Sequence, residues 1–317
     1  MSTGFEYKKI RQHFVSRFYL KAWSENDTHV VARDDTHVFG PKFEQVAVSK
    51  DTYRVEGLSQ EQEKLLLAEL DKVKSPMASL LRTLIEKCAQ LRDETPLDGK
   101  IGKVDVDIFK SNVIENVYSL TEDVVQDAYD FLADGEYNKI NIFEYENVLR
   151  FLFNQLTRSE GSRHKIREEI GHILEEKGIG FDAYNMFSSI ILAEQLVIAV
   201  MEQLYRITVI ENNTSVRFIT GDWPVVNLKS EKDKTIEMYW PITPYRAVLV
   251  NPTNFPHDQA AAIKKEMLSG KGTHRYFLNH RIEDDPDVIR ALNRVIWSRK
   301  HRCVFGVDEA DVRAADS

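Results

Sequence analysis

The sequence predicts an α+β fold: a large helical middle together with a mixed or antiparallel sheet formed by N-terminal and C-terminal strands. Three observations carry this expectation. Apolar residues recur at threes and fours from about residue 58 to 204, the spacing of amphipathic helices. Short β-branched and aromatic runs bounded by turn residues occupy about 205–306 and also occur in the opening 1–57. The most apolar stretch, Ile190 to Met201, is interrupted by Glu194 and Gln195 and is too short to span a bilayer, so it reads as a buried helix. The expected organisation is a single unit over residues 1–317, with the N-terminal arm joining the sheet-rich part.

Taken in order, Val30, Ala32, Val38 and Phe39 flank the turn-forming Asp34-Asp35 and predict an early hairpin. Ser59, with Gln62 three residues on, is a capping-box signature that opens a helical run through Leu65, Leu66, Leu70 and Val73 toward Leu84. Pro76 marks a kink or break in that run. Asp93 to Asp107 mixes Pro, Gly and charge with little periodicity and predicts an exposed connection. Further helices reach about Lys177, where Gly178 and Gly180 stop the pattern before Phe181 to Leu204, expected as the central helix. Strands are expected at Thr208–Ile210, Val216–Ile219, Ile236–Tyr239, Ala247–Val250 and Cys303–Phe305, and helices at about Asp258–Leu268 and Pro286–Trp297.

Hydrophobic residues at 43% and charged residues at 29% are the balance of a folded globular chain. The two cysteines, Cys88 and Cys303, lie far apart, and the first residues lack the apolar core of a secretory signal, so a reducing cytoplasmic setting without membrane insertion is expected. The net charge of −8, from 50 acidic and 42 basic residues, argues against a uniformly basic nucleic-acid coat but allows a local basic groove. Arg290 to Arg302 is the markedly positive segment. Zinc-binding Cys and His pairs, a Walker loop, a GxGxxG turn and a GxSxG elbow are absent, so nucleotide-cofactor and serine-hydrolase chemistry find no motif here.

Three stretches carry groups capable of chemistry. Arg158 and His164, in RSEGSRH, have the spacing at which helical ribonucleases pair an arginine for phosphate charge with a histidine for proton transfer. Gly161 between them weakens a continuous helix. In VRFITGDWPVV a β-run delivers Asp222 at a turn, where a carboxylate could orient water or hold a divalent metal and Trp223 could stack on a base or sugar. In RQHFVSRFYLKAW, Gln12, His13 and Arg17 alternate with aromatic residues that must pack, which would hold the polar ones in place.

QHFVSRFYLKAW resembles the opening QHxVPRFYLxxF of a bacterial, archaeal and fungal family catalogued as domain of unknown function 4238. Tyr53, the Gln155/Arg158 pair, FITGDWPVV, WPITPYRAVLV and Asn293 with VIWSRKHRCVF follow in that family's order, so the resemblance covers nearly the whole chain. Ser16 stands for its usual Pro, and Gly221 and Trp223 stand for the Ser and Asn beside the aspartate. The resemblance implies an architecture and a residue set without naming a reaction. Polar residues in matching motifs at both ends of the chain are expected to converge in one pocket. The catalytic residues expected are His13, Asp222 and Arg158, with Gln12, Arg17, Trp223, Gln155 and Asn293 binding substrate. A His/Arg/Asp cluster suits attack by water on a phosphodiester or glycosidic centre. The expectation is therefore a hydrolytic enzyme acting on DNA or RNA, a nuclease or base-removing glycosylase; the resemblance, to a family of accessory rather than metabolic type, implies a place in anti-phage defence. The alternative is a non-enzymatic recognition or scaffold module in which the same residues lock the arm to the sheet.

Overall fold

The computed structural model describes residues 7–26, 28–93, 103–230, 232–253, 255–268 and 277–316. Most of the expected connection from Asp93 to Asp107 lies outside the described residues; its last part, from Lys103, is already helical.

The arm supplies β1 (Arg11–His13), a short α1 (Arg17–Lys21), the hairpin β2 (Val31–Arg33) and β3 (Val38–Phe39), and β4 (Val48–Lys50). Strand β1 pairs antiparallel with β4. The helical middle follows as α2 (Gln60–Leu70), α3 (Pro76–Gln90), α4 (Lys103–Asp134), α5 (Ile142–Arg158), α6 (Glu160–Glu176) and α7 (Phe181–Glu202). Local signals set these ends. Ser59 caps α2 in a capping box with Gln62, and Asn141 does the same for α5 with Glu144. Pro76 occupies the first turn of α3, where its missing N–H costs nothing, so it marks a new helix and not a kink. Gly178 adopts φ +70° just past α6, and the Ile179 amide returns to the Leu174 carbonyl, which closes that helix end.

The C-terminal part forms β5 (Arg206–Asn212), β6 (Thr220–Gly221), β7 (Val226–Asn227), β8 (Met238–Thr243), β9 (Arg246–Asn251), α8 (His257–Leu268), β10 (Leu278–Glu283), α9 (Pro286–Arg299), β11 (Val304–Gly306) and α10 (Glu309–Arg313). A mixed sheet runs β10-β5-β9-β8-β7, with β10 parallel to β5 and the other pairs antiparallel. A second, antiparallel sheet runs β3-β2-β11-β6 and joins strands from the two ends of the chain.

Val216 to Ile219, expected as a strand, is not one. The Phe218 amide donates to the Pro244 carbonyl, and Asn293 of α9 takes the neighbouring groups: its side chain accepts from the Ile219 amide at 3.1 Å and donates to the Arg217 carbonyl at 2.8 Å. A side-chain clamp thus satisfies backbone that a sheet ladder would otherwise need.

One apolar cluster extends from Phe14 to Ala315. At its centre Trp240 of β8 meets Tyr19 of α1, Tyr129 of α4 and Phe151 of α5, with ring centroids 5.9, 5.9 and 5.6 Å away. Tyr19 Oη is shared between Thr220 Oγ1 at 2.5 Å and the Pro241 carbonyl at 2.6 Å. Burying an apolar side chain of the size of Leu20 stabilises by roughly 1.5–3 kcal/mol, so several such residues hold the arm firmly. Helix α7 is long and apolar enough, by length and composition, to cross a membrane, yet 61% of its most apolar window is buried within the fold and it packs against α5.

Candidate functional site: a basic groove at the α5–α6 break

Ser159 is the hinge of the site. It ends α5 and caps α6 at once, with φ −62° and ψ 150°, and its hydroxyl accepts from the Ser162 amide at 3.1 Å. The extended conformation breaks the helix between Arg158 and His164, so the ribonuclease-type spacing does not lie on one continuous helix. Arg158 consequently turns inward, while the first turns of α6 carry Arg163, His164 and Arg167 along the wall of an open groove of about 510 Å³. The facing wall is the loop after α9, which contributes His301 and Arg302.

Asp222 builds that loop. It is 2% exposed, and both carboxylate oxygens are occupied: Oδ1 accepts from the His301 amide at 2.9 Å, and Oδ2 from the Arg302 and Cys303 amides at 2.6 and 3.2 Å. Burial pushes its pKa up and the three amides oppose the shift. In this arrangement Asp222 positions His301 and Arg302. Trp223, next in sequence, lies against the start of α6: a methyl at Gly161 would stand 2.6 Å from Trp223 Cε3 and 3.2 Å from His301 Cβ. Glycine is what lets the indole, the loop and the helix approach so closely.

The inner end of the groove is Arg158, whose side chain is 1% exposed. Its Nε donates to the Phe14 carbonyl at 3.1 Å and its Nη2 to Glu122 Oε1 at 2.7 Å, and the guanidinium lies over the Tyr118 ring, 4.9 Å from its centroid. The Gln155 amide, with its oxygen turned toward the guanidinium, accepts from Nη2 at 2.6 Å and from Nε at 3.1 Å. Burial works against the charge of Arg158, but Glu122 and the tyrosines outweigh it and its pKa rises above the ordinary value.

The other expected residues divide sharply. Gln12 is buried as a stitch, donating to the Ser111 and Lys9 carbonyls and accepting from the Tyr53 amide. Asn293 is the clamp described above. Arg17 sits outside the groove lining, exposed, paired with Glu44 at 2.9 Å. His13 precedes the groove-lining Phe14, and burial, with the positive charges of Arg17, Arg158 and Arg11, lowers its pKa to about 4 against a contact with the Val46 backbone. Among the described residues no hydrogen bond or ion pair joins His13 to Asp222; Arg158 and the Asp222-held loop, in contrast, share the groove.

Sequence reasoning overlooked Arg163, Arg167, His301 and Arg302 as site residues. The four-residue spacing of Arg163 and Arg167, and the end of the basic segment 290–302, were the available signals. Arg163 pairs with Asp182 of α7 at 2.5 Å, and Arg167 pairs with the same carboxylate. Burial pushes Asp182 up, but the two arginines more than compensate and hold it below the ordinary carboxylate range. Arg302 meets Glu160 at 2.8 Å. The His164 and His301 rings lie against each other, tilted by 48°, with centroids 5.6 Å apart. Glu115 was also overlooked: its Oε2 is buried without a partner, and burial lifts its pKa to about 7, with Arg158 opposing and Glu122 adding. Among the described residues no group of three or more His, Cys, Asp or Glu side chains is placed to hold a metal ion.

The comparisons agree with the family resemblance. A profile described as protein of unknown function (DUF4238) matches residues 11–310. Neither a curated protein nor a solved structure matches the chain. With its opening stitch, its buried Arg158 and its Asp222-held loop all inside the matched span, this chain belongs to the DUF4238 family.

Proposed function

We propose that the chain is a hydrolytic enzyme acting on nucleic acid, a nuclease whose active site is the groove between α6 and the 301–303 loop. The observation that carries this reading is a pair of imidazoles set among four arginines, Arg158, Arg163, Arg167 and Arg302, in one open groove. Arginines supply planar donors for phosphate oxygens and stabilise the charge of a phosphoryl transition state, while histidine can move protons near neutral pH. Against a net charge of −8, a local basic groove also directs an anionic substrate to one place. A base-removing glycosylase is less well supported, because the oxygens of Asp222 are already taken by backbone amides. A cytoplasmic setting belongs to the same proposal and is supported by two unpaired cysteines.

The second reading, a recognition or scaffold module, is favoured by one feature: Gln12, Asn293 and Asp222 all spend their polar atoms on backbone groups. The two readings part in a cleavage assay on single- and double-stranded DNA and RNA, with and without divalent metal, run on the parent protein and on an Arg163→Ala/Arg167→Ala variant. Cleavage by the parent that is lost in the variant supports the nuclease. Tight binding without cleavage supports the recognition module, and neither binding nor cleavage removes nucleic acid as the substrate.

A further inference from the structure

We propose that the substrate of this groove is RNA, and that the attacking group is the substrate's own 2′-hydroxyl, with His164 taking its proton and His301 supplying one to the departing 5′-oxygen. The inference rests on the nuclease reading and deepens it. It starts from how the carboxylates of the groove are committed. Glu160 is paired with Arg302, and Asp182 is paired with both Arg163 and Arg167. Asp222 faces backbone amides. Glu160 Oε2 is left buried without a partner, and the groove's groups able to give as well as take a proton near neutral pH are its two histidines, to which a nucleophile must be brought. A ribose solves this chemically, because its nucleophile is already attached beside the phosphorus it attacks, and such intramolecular placement removes much of the entropic barrier.

The two histidines are held differently, which assigns their roles. Glu168, one helical turn on, lies 3.3 Å from His164 Nε2. A carboxylate at that nitrogen favours the tautomer with its proton there and leaves the Nδ1 lone pair as the base, the orienting logic of a catalytic triad. His301 has its backbone N–H fixed by Asp222 at 2.9 Å, and its Cβ lies against the α6 turn at Gly161. Its ring is tilted 48° to that of His164, with centroids 5.6 Å apart, so the two are not stacked face to face. Both rings thus lie side by side in the lining of one groove.

The step balances without a co-reactant. Neutral His164 accepts the 2′-hydroxyl proton as the 2′-oxygen bonds to phosphorus; the P–O5′ bond breaks; protonated His301 delivers its proton to that oxygen. The products are a 2′,3′-cyclic phosphate and a 5′-hydroxyl. Water can then open the cyclic ester with the two histidines in exchanged roles, completing a net hydrolysis. The flanking guanidinium groups bind the phosphate oxygens as charge builds on them.

The test uses the full chain with three oligonucleotides of one sequence: all DNA, DNA containing a single ribonucleotide, and the same with a 2′-O-methyl group at that position, all in the presence of a metal chelator. Cleavage is expected only after the ribonucleotide, leaving a cyclic phosphate identified by mass spectrometry. His164→Ala and His301→Ala are each expected to lower the rate by about 10²–10⁴-fold, and added imidazole to restore part of it in His164→Ala, which a structural role would not allow. His164 is more than half exposed, so its removal leaves the fold standing. Comparable cleavage of all-DNA or 2′-O-methyl substrate, or a 5′-phosphate product, overturns the 2′-hydroxyl assignment and leaves the nuclease reading in place. Absence of any cleavage by the parent protein, with RNA of any kind and with metal restored, overturns both.

Discussion

Arg158 and Arg302 line the same groove, yet one side chain is 1% exposed and the other 66%. Arg158 is enclosed by Glu122 and Tyr118 of α4, Gln155 of its own helix and the Phe14 carbonyl, so its contacts tie α5 to α4 and to the N-terminal arm. Arg302 pairs with the Glu160 carboxylate, and Arg163 and Arg167 share Asp182, with the Thr52 carbonyl 3.4 Å from Arg163 and the Phe181 ring 4.4 Å from Arg167. The difference teaches that residues of one charge in one groove divide the work: the inner arginine fixes the architecture, and the outer ones are the groups that the proposed function assigns to phosphate.

The largest effect is expected at the inner end. Arg158→Met should lower unfolding free energy by roughly 3–5 kcal/mol, because it strands the Phe14 carbonyl and the Glu122 carboxylate together. Glu122 keeps some water, which puts the value toward the lower end. A urea titration checks this, and a loss below about 1 kcal/mol, the scale of an exposed pair, would erase the contrast between inner and outer arginines.

Next come two buried groups beside Arg158 whose pH effects run in opposite directions. The folded chain holds the Glu115 proton more tightly than the unfolded chain, from 4.5 up to about 7, so its stabilisation is full below pH 4.5 and is lost as pH rises through about 7. The folded chain holds the His13 proton less tightly, from 6.5 down to about 4, so its stabilisation is full above pH 6.5 and is lost as pH falls through about 4. Each is worth up to about 3 kcal/mol across its window. Between pH 4.5 and 6.5 these two contributions have opposite slopes and offset one another. Glu115→Gln should then gain stability with rising pH over that span, and His13→Gln should lose it. Parallel slopes in the two variants would refute the pairing.

A smaller loss, roughly 1.5–3 kcal/mol, is expected for Asp222→Asn, since one amide oxygen replaces two carboxylate oxygens that receive three N–H groups. Faster hydrogen exchange at the His301 and Arg302 amides is the specific readout. Unchanged exchange would mean that the loop stands without the aspartate.

The smallest effect on stability belongs to Arg167→Ala, below about 1 kcal/mol because its ion pair is exposed. Under the proposed function, affinity for nucleic acid should nevertheless fall in this variant, and the slope of log affinity against log salt should shrink by about one. An unaltered salt slope would take Arg167 out of the binding surface.

Much of this architecture was legible in the sequence, because its signals are local. Ser59 with Gln62, Pro76, Gly178 and the apolar face of α7 each act within a turn or two of themselves. Val216 to Ile219 misled for the opposite reason: β-type residues there meet Asn293, which is far away in sequence and replaces a neighbouring strand. The site was legible in part. Arg158 and the neighbourhood of Asp222 were visible as polar residues in aromatic motifs. Arg163, Arg167, His301 and Arg302 were hidden, because exposed basic residues on a helix and a loop look alike wherever they lie, and only tertiary placement makes them face each other. Gln12 and Asn293 were read as ligands for a substrate when their partners are backbone groups of this chain.

The shared cap at Ser159 makes the site sensitive to length in a way that most surface positions are not. An α-helix turns by about 100° per residue, so one residue inserted or removed beside Ser159 would rotate all of α6 about its axis by that angle. The apolar face of α5 would be untouched and Arg158 would keep its enclosure, but His164 and its neighbouring arginines would swing away from the 301–303 loop. A natural relative that differs in length here would therefore retain the fold and lose the groove, whereas one that keeps the length can change most exposed residues of α6 and still present a wall in the same place.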